Sequence, residues 1–357
     1  IMAEITDIQV SEAVRQRFVG RTEVLDKFYL RFAYRHAKNG IYYRGRGGLG
    51  KTWILKKILL DNQGDPTRKV TEIIDFFETQ NHSIRGLQAT IKARLQIPNT
   101  QAFQPYDEIL KQLESLHLEQ TSAYPAAVAN LEARANKQFL ECCQQAILGQ
   151  EVVLLFDTFE RIQRQEVGKW LLEEFLPNVR GAIVVIAGRP GADPDQKIPD
   201  NVVVYELGGL SLAETAEYIR KYDSQISLAD VQMIWTHTNG IPLFIDLIFF
   251  DLFFAQRRKY LTDLQQSAKI ERIQDSPEWQ KRLVEQFTEA SNRNRIIWAM
   301  AHLRRRFDHE MLQYIVKYGD WFNSGDYNDI FKELEQTAYV KEYARQQSHL
   351  LHDEVQR

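Results

Sequence analysis

The stretch YYRGRGGLGKTWIL, residues 42–55, constrains this chain more than any other. It sets Gly45, Gly47, Gly48 and Gly50, then Lys51 and Thr52, between two apolar runs. The eight residues 45–52 match G-x-x-x-x-G-K-[ST], the Walker A pattern, and they stand where it requires, behind a strand candidate at 41–43 and ahead of a helix candidate at 52–60. Glycines let successive backbone N–H groups turn inward around a phosphate. The N-terminus of the following helix adds roughly half a positive charge. Lys51 can then reach β- and γ-phosphates, and Thr52 can offer its hydroxyl to Mg²⁺. The competing reading is a glycine-rich turn with a solvated lysine, which the strand and helix context disfavours.

A loop of this kind needs a carboxylate at the end of a neighbouring strand to hold the metal. The apolar run EVVLLFD, 151–157, ends on Asp157 and has the length and continuity of a strand covered on both faces. The next residue is Thr158 rather than a second acid, so Glu160 is the nearest candidate to orient water. Its other reading is a surface residue opening a helix. GAIVVIAGR, 181–189, is a second such strand and ends on Arg189, which can sense a γ-phosphate or serve as a capping arginine. NVVVYEL, 201–207, is a third. With a strand region at 70–77, and helical segments at 22–37 and, with breaks near Pro98 and Pro105, up to 148, the order predicts a mostly parallel α/β sheet. Such sheets bind ligands outside the carboxyl ends of their strands.

Beyond Gly208 the pattern turns helical. Ser211 and Glu214 have the spacing of a capping box, and helical periodicity continues to about residue 318. From about 291, three short helices and a hairpin candidate near Tyr339 and Val340 suggest a winged-helix module. The predicted organisation is a lead segment at 1–16, a P-loop nucleotide-binding domain at 17–208, a helical domain at 209–290 and a winged-helix domain at 291–357.

These motifs occur in a recognisable order. FVGRTE at 18–23, Walker A, LLFD at 154–157, IAGR at 186–189, GIPL at 240–243 and LHD at 351–353 resemble the nucleotide-binding core of STAND NTPases. That family includes apoptotic scaffold ATPases, plant disease-resistance proteins and bacterial regulators. The resemblance implies bound ATP or ADP with Mg²⁺, held by Gly45, Gly47, Gly48, Leu49, Gly50, Lys51, Thr52 and Trp53, with Thr52 and Asp157 as metal ligands. It places Val19 and Arg21 by the adenine and ribose and Pro242 on the base. Arg189 becomes the sensor, and His352 the contact to the ADP β-phosphate. It further implies a switch: a closed ADP-bound monomer converts to an ATP-bound oligomer with slow hydrolysis. Leu351 replaces the usual methionine, and Thr158 replaces an acid found in many members. His349 and His352 share a three-residue spacing but lack a third ligand for a metal.

The alternative is an AAA+ or origin-recognition-like ATPase whose winged helix binds DNA. That reading needs a basic recognition helix, whereas 326–336, DYNDIFKELEQ, is acidic and Arg304, Arg305 and Arg306 form the only basic cluster there. A third reading, a metabolic kinase, lacks a motif for a second substrate. Among 357 residues the formal net charge is −3, which offers no general attraction to nucleic acid or anionic lipid.

The run IPLFIDLIFFDLFFA, 241–255, is interrupted by Asp246 and Asp251 and falls short of the about 20 apolar residues of a spanning helix, so a buried helix is expected. Cys142 and Cys143, adjacent and the only cysteines, fit a reducing cytosol. The Ile1-Met2-Ala3 opening reads as a vector remnant without a leader. The family pattern places sensor repeats after the histidine motif, so a longer parent chain with sensor and effector regions, an unidentified activating ligand and self-association on activation are the expected partners.

Overall fold

The computed structural model describes residues 14–34, 37–95, 100–116, 124–191 and 198–246, and strand backbone at 307–308, 340–343 and 348–351. Packing divides the chain into two units. One contains 21–46 and 51–207; the other takes in 14–20, 47–50 and the described residues from 208 onward.

The first unit is built on a parallel sheet. Its strands are β1 (Gly40–Arg44), β2 (Arg68–Val70), β3 (Ile74–Asp75), β4 (Glu151–Asp157), β5 (Ala182–Gly188) and β6 (Val202–Glu206). Their order is β2-β4-β5-β1-β6, with β3 also pairing β4, and every pairing is parallel. The chain crosses from β1 to the far side at β2 and later returns to β6 on the other flank of β1. In open parallel sheets ligands bind outside the carboxyl ends of the strands where the order reverses in this way.

Strand alternation explains the continuous apolar runs. Even-numbered residues, including Tyr42, Leu154, Phe156, Val184 and Ile186, join one core cluster with Phe139, Trp170 and Phe175. Odd-numbered residues, including Ile41, Tyr43, Val153, Leu155, Ile183 and Val185, are equally buried on the opposite face. There α2 (Lys51–Asp61) packs on β4 and β5 and buries Ile54, Leu55 and Ile58. The 22–37 segment begins with α1 (Thr22–Tyr29), which buries Phe28, and continues as one turn at Arg31–Tyr34.

Helices α3 (Ile84–Leu95), α4 (Gln104–Leu116) and α5 (Tyr124–Ile147) belong to the same unit, and all three add residues to the cluster that the even-numbered strand residues join. The break expected near Pro105 falls just ahead of it: Pro105 lies in the first turn of α4, where its missing N–H is unneeded. Cys142 and Cys143 are buried in α5 as free thiols, and burial raises the pKa of both.

The strand expected over 70–77 is interrupted at 71–73. Thr71 explains how the sheet tolerates the break: its N–H donates to the Val153 carbonyl at 2.9 Å, and its Oγ1 accepts the Leu155 N–H at 3.4 Å. A side-chain oxygen thus stands in for a ladder carbonyl.

In the second unit, α6 (Leu212–Arg220) begins with the capping box that the S-x-x-E spacing predicts. Ser211 Oγ accepts from Glu214 N at 3.2 Å, and Glu214 Oε2 accepts from Ser211 N at 2.8 Å. α7 (Leu228–Thr238) is capped by Ser227, and α8 (Pro242–Asp246) follows the turn at Asn239 and Gly240. Asp246, one of the charges interrupting the apolar run, is buried and accepts a hydrogen bond from the Tyr218 hydroxyl. Burial first, and the carboxylate second, raise the Tyr218 phenol well above its ordinary pKa. Tyr218→Phe is therefore expected to cost about 1–3 kcal/mol in urea unfolding, because it removes a donor from a buried carboxylate. Unchanged stability would contradict that account.

The strand backbone at β7 (Phe307–Asp308), β8 (Val340–Tyr343) and β9 (Ser348–Leu351) forms an antiparallel sheet in the order β7-β9-β8. The β8–β9 pair falls where the sequence predicts a hairpin. The rest of the predicted winged-helix domain, including Arg304–Arg306, 326–336 and His352, lies outside the described residues, as does 247–290.

Candidate functional site

The carboxyl edge of the sheet collects most of the residues the sequence singles out. β1 ends at Arg44, and Gly45 N–H continues the parallel pairing by donating to the Gly188 carbonyl at 3.2 Å. The chain then turns through the glycines into α2, which starts at Lys51. Gly48 and Gly50 have φ values of 78° and 84°, so the loop uses the left-handed backbone that glycine adopts without strain. Lys51 Nζ lies back over this turn and donates to the carbonyls of Gly45 at 2.7 Å and Arg46 at 2.8 Å. The ammonium is thereby held beside a helix N-terminus. Both are positive features that favour an anion.

Thr52 and Asp157 are 105 residues apart, yet Thr52 Oγ1 donates to Asp157 Oδ2 at 2.6 Å. They sit on the α2 N-terminus and the end of β4, strands β1 and β4 being separated by β5. The second oxygen of Asp157 accepts the Thr158 N–H at 2.8 Å, and the side chain is buried. A hydroxyl and a carboxylate brought together at a phosphate loop form the donor set that suits Mg²⁺. The residues fit the cofactor the sequence implies.

Three features of this edge go beyond what the sequence predicts. Thr158 has φ 62° and ψ 36°, a left-handed conformation strained for a β-branched residue, and its buried Oγ1 has no hydrogen-bond partner among the described residues. Asp75 at the end of β3 stands beside Asp157 in register, with its Oδ1 accepting the Phe77 N–H at 2.8 Å. Only the aspartate closing the apolar pair Ile73-Ile74 could have flagged it. Third, Glu160 and Arg189 hold one another. Arg189 N–H donates to Glu160 Oε2 at 3.0 Å, and Arg189 Nε lies 3.3 Å from Oε1.

The remaining predicted residues divide between the two units. Arg21 adopts a left-handed conformation, φ 60°, at the start of α1. Trp53 is on α2, where Lys56 Nζ lies 5.7 Å from its ring centroid. Within the second unit, Val19 is buried with Leu210, Tyr218 and Ile245. There the glycine tip of the loop meets the GIPL turn, for the Leu243 N–H donates to the Gly48 carbonyl at 3.2 Å. Leu49 is buried, and Pro242, the first residue of α8, is half-buried. His352 is outside the described residues.

No family model and no curated protein matches the chain. Among solved structures, it superposes on a STAND protein with a tetratricopeptide repeat sensor from Pyrococcus horikoshii with a TM-score of 0.55. The sequences are 16% identical over 95% of this chain. The fold is that of a P-loop NTPase. This chain spans 42% of the length of the archaeal protein. Two further structures match at lower TM-scores. One is the Drosophila origin recognition complex bound to DNA, at 0.43, with 11% identity over 96% of this chain and 94% of that one. The other is a RuvB variant from Thermotoga maritima, at 0.39, with 13% identity over 94% and 92%. No helix among the described residues is long and apolar enough to cross a membrane.

Proposed function

We propose that the chain is the nucleotide-binding switch of a STAND signalling protein, an ADP-bound closed monomer that becomes an ATP-bound assembly and hydrolyses ATP slowly. The observation that carries nucleotide binding is the Thr52 Oγ1 to Asp157 Oδ2 contact at 2.6 Å behind a glycine turn that opens a helix. Thr52 and Asp157 are the residues that would hold Mg²⁺. When bound, the ion neutralises charge on the phosphates. Lys51 and the N-terminal amides of α2 do the rest, orienting the phosphate chain along the loop.

The switch reading is supported by the ordered motifs of the sequence and by the fold shared with the archaeal protein. Magnitudes limit what one residue contributes. A hydrogen bond from His352 to a charged phosphate provides about 1.5–3 kcal/mol, whereas moving a two-state equilibrium from 1:99 to 99:1 takes about 5.5 kcal/mol. Domain packing, sensor regions beyond this chain or contacts between protomers must supply the remainder.

The deciding experiment is to denature the purified protein and identify any released nucleotide by chromatography. Co-purified ADP is the expected result. Absence of released nucleotide, together with no thermal stabilisation by added ADP or ATP, refutes nucleotide binding. Titration with duplex DNA separates the switch from the origin-recognition-like alternative: tight binding that weakens steeply with salt would favour the latter.

A further inference from the structure

The end of β5 is gripped from both sides. The Tyr42 hydroxyl donates to the Arg189 carbonyl at 3.0 Å, while Glu160 accepts the Arg189 N–H at 3.0 Å and lies 3.3 Å from its Nε. Gly188 leaves room for this grip. A Cβ there would stand 3.1 Å from Phe159 Cβ and from Tyr42 Oη, and 3.3 Å from Glu160 Oε2. The Arg189 and Glu160 side chains are only 19% and 25% exposed, so this pair is screened less than one at the surface. Both oxygens of Glu160 face Arg189, an arrangement that suits holding an arginine better than deprotonating water.

We propose that Glu160 is a positioning residue that holds Arg189, the arginine the sequence reads as the γ-phosphate sensor, at the sheet edge and competes with a terminal phosphate for it. This inference rests on the nucleotide reading above. A γ-phosphate offers more negative charge than a carboxylate and three acceptor oxygens, which suits the planar guanidinium fork. A diphosphate lacks that group, and Arg189 then stays on Glu160. The carboxylate therefore competes with the terminal phosphate. Weakening it strengthens triphosphate binding and leaves diphosphate binding nearly unchanged.

The test is the ratio of Kd values for ADP and a non-hydrolysable ATP analogue, measured by calorimetry on the full 357-residue chain. Glu160→Gln keeps an acceptor for the Arg189 amide but removes the charge, and is expected to raise the preference for the triphosphate about tenfold. Arg189→Gln is expected to abolish that preference. The double variant should match Arg189→Gln alone, because Glu160 acts only through the arginine. Should Glu160→Gln fail to fold, Glu160→Asp retains the charge with shorter reach and should move the ratio in the same direction. An unchanged or lowered ratio in the glutamate variant overturns the proposal while leaving nucleotide binding intact. So does a Glu160 effect that persists without Arg189. If the wild-type chain binds neither nucleotide, the underlying reading fails and this inference falls with it.

Discussion

Lys51→Ala is expected to weaken ADP and ATP binding by about 10²- to 10⁴-fold while lowering the stability of the nucleotide-free protein by no more than about 1–3 kcal/mol. The ammonium sits over the turn through bonds to the Gly45 and Arg46 carbonyls at 2.7 and 2.8 Å. A bound phosphate chain would exchange these neutral acceptors for charged ones. Each charge-assisted bond contributes about 1.5–3 kcal/mol, so losing two gives the stated range. Of the two carbonyls released by the truncation, that of exposed Arg46 returns to water, while buried Gly45 loses a partner, at a folding cost of about 1–3 kcal/mol. The measurement is thermal unfolding with and without ADP. Ligand at about one hundred times its Kd stabilises the native state by about 2.7 kcal/mol, and that increment should vanish in the variant. An equal ADP-induced shift in both proteins would mean the anion binds elsewhere.

How much of this site can be read from the sequence follows the distance over which each feature is determined. The glycine turn, Lys51 and Thr52 are consecutive, and their chemistry depends on spacing alone. Asp157 and Arg189 are legible one step further, because each closes a continuous apolar run and a parallel sheet places such ends on one edge. The Ser211 capping box is equally local. What periodicity leaves undetermined is strand order, and with it everything that depends on lateral neighbours. That β3 lies against β4 and brings Asp75 beside Asp157 follows from a pairing over 82 residues. The Glu160 to Arg189 pair spans 29 residues and depends on Gly188 leaving space at the end of β5. At Thr158 the sequence shows only the absence of an acid, since neither its backbone twist nor the lack of a hydroxyl partner among the described residues has a composition signal. The break at 71–73 leaves no sequence signal, because a threonine hydroxyl in place of a ladder carbonyl keeps the apolar pattern on either side intact.

Gly48→Ala and Gly50→Ala are expected to part company, although both residues have positive φ and belong to the same motif. Either substitution strains the backbone by about 1–2 kcal/mol. At Gly50 a Cβ meets nothing within 4 Å, so stability should fall by about that amount, and the new methyl should act chiefly against nucleotide. At Gly48 the Cβ would lie 2.7 Å from Leu243 Cβ, 3.0 Å from Leu243 Cδ2 and 3.3 Å from Ile241 Cγ2. The Gly48 carbonyl also accepts the Leu243 N–H, so the loop cannot retreat without stretching that bond. Overpacking of this kind adds about 1–3 kcal/mol, giving a total loss of about 2–5 kcal/mol in urea unfolding. Because the nearest obstacle is a Cβ, Leu243→Ala cannot relieve it, whereas Leu243→Gly can. Gly48→Ala combined with Leu243→Gly should therefore cost less than the sum of the single losses, whereas the combination with Leu243→Ala should stay near additive. Equal losses for the Gly48 and Gly50 variants, or strict additivity with Leu243→Gly, would show that the GIPL turn does not bear on the phosphate loop in the folded protein.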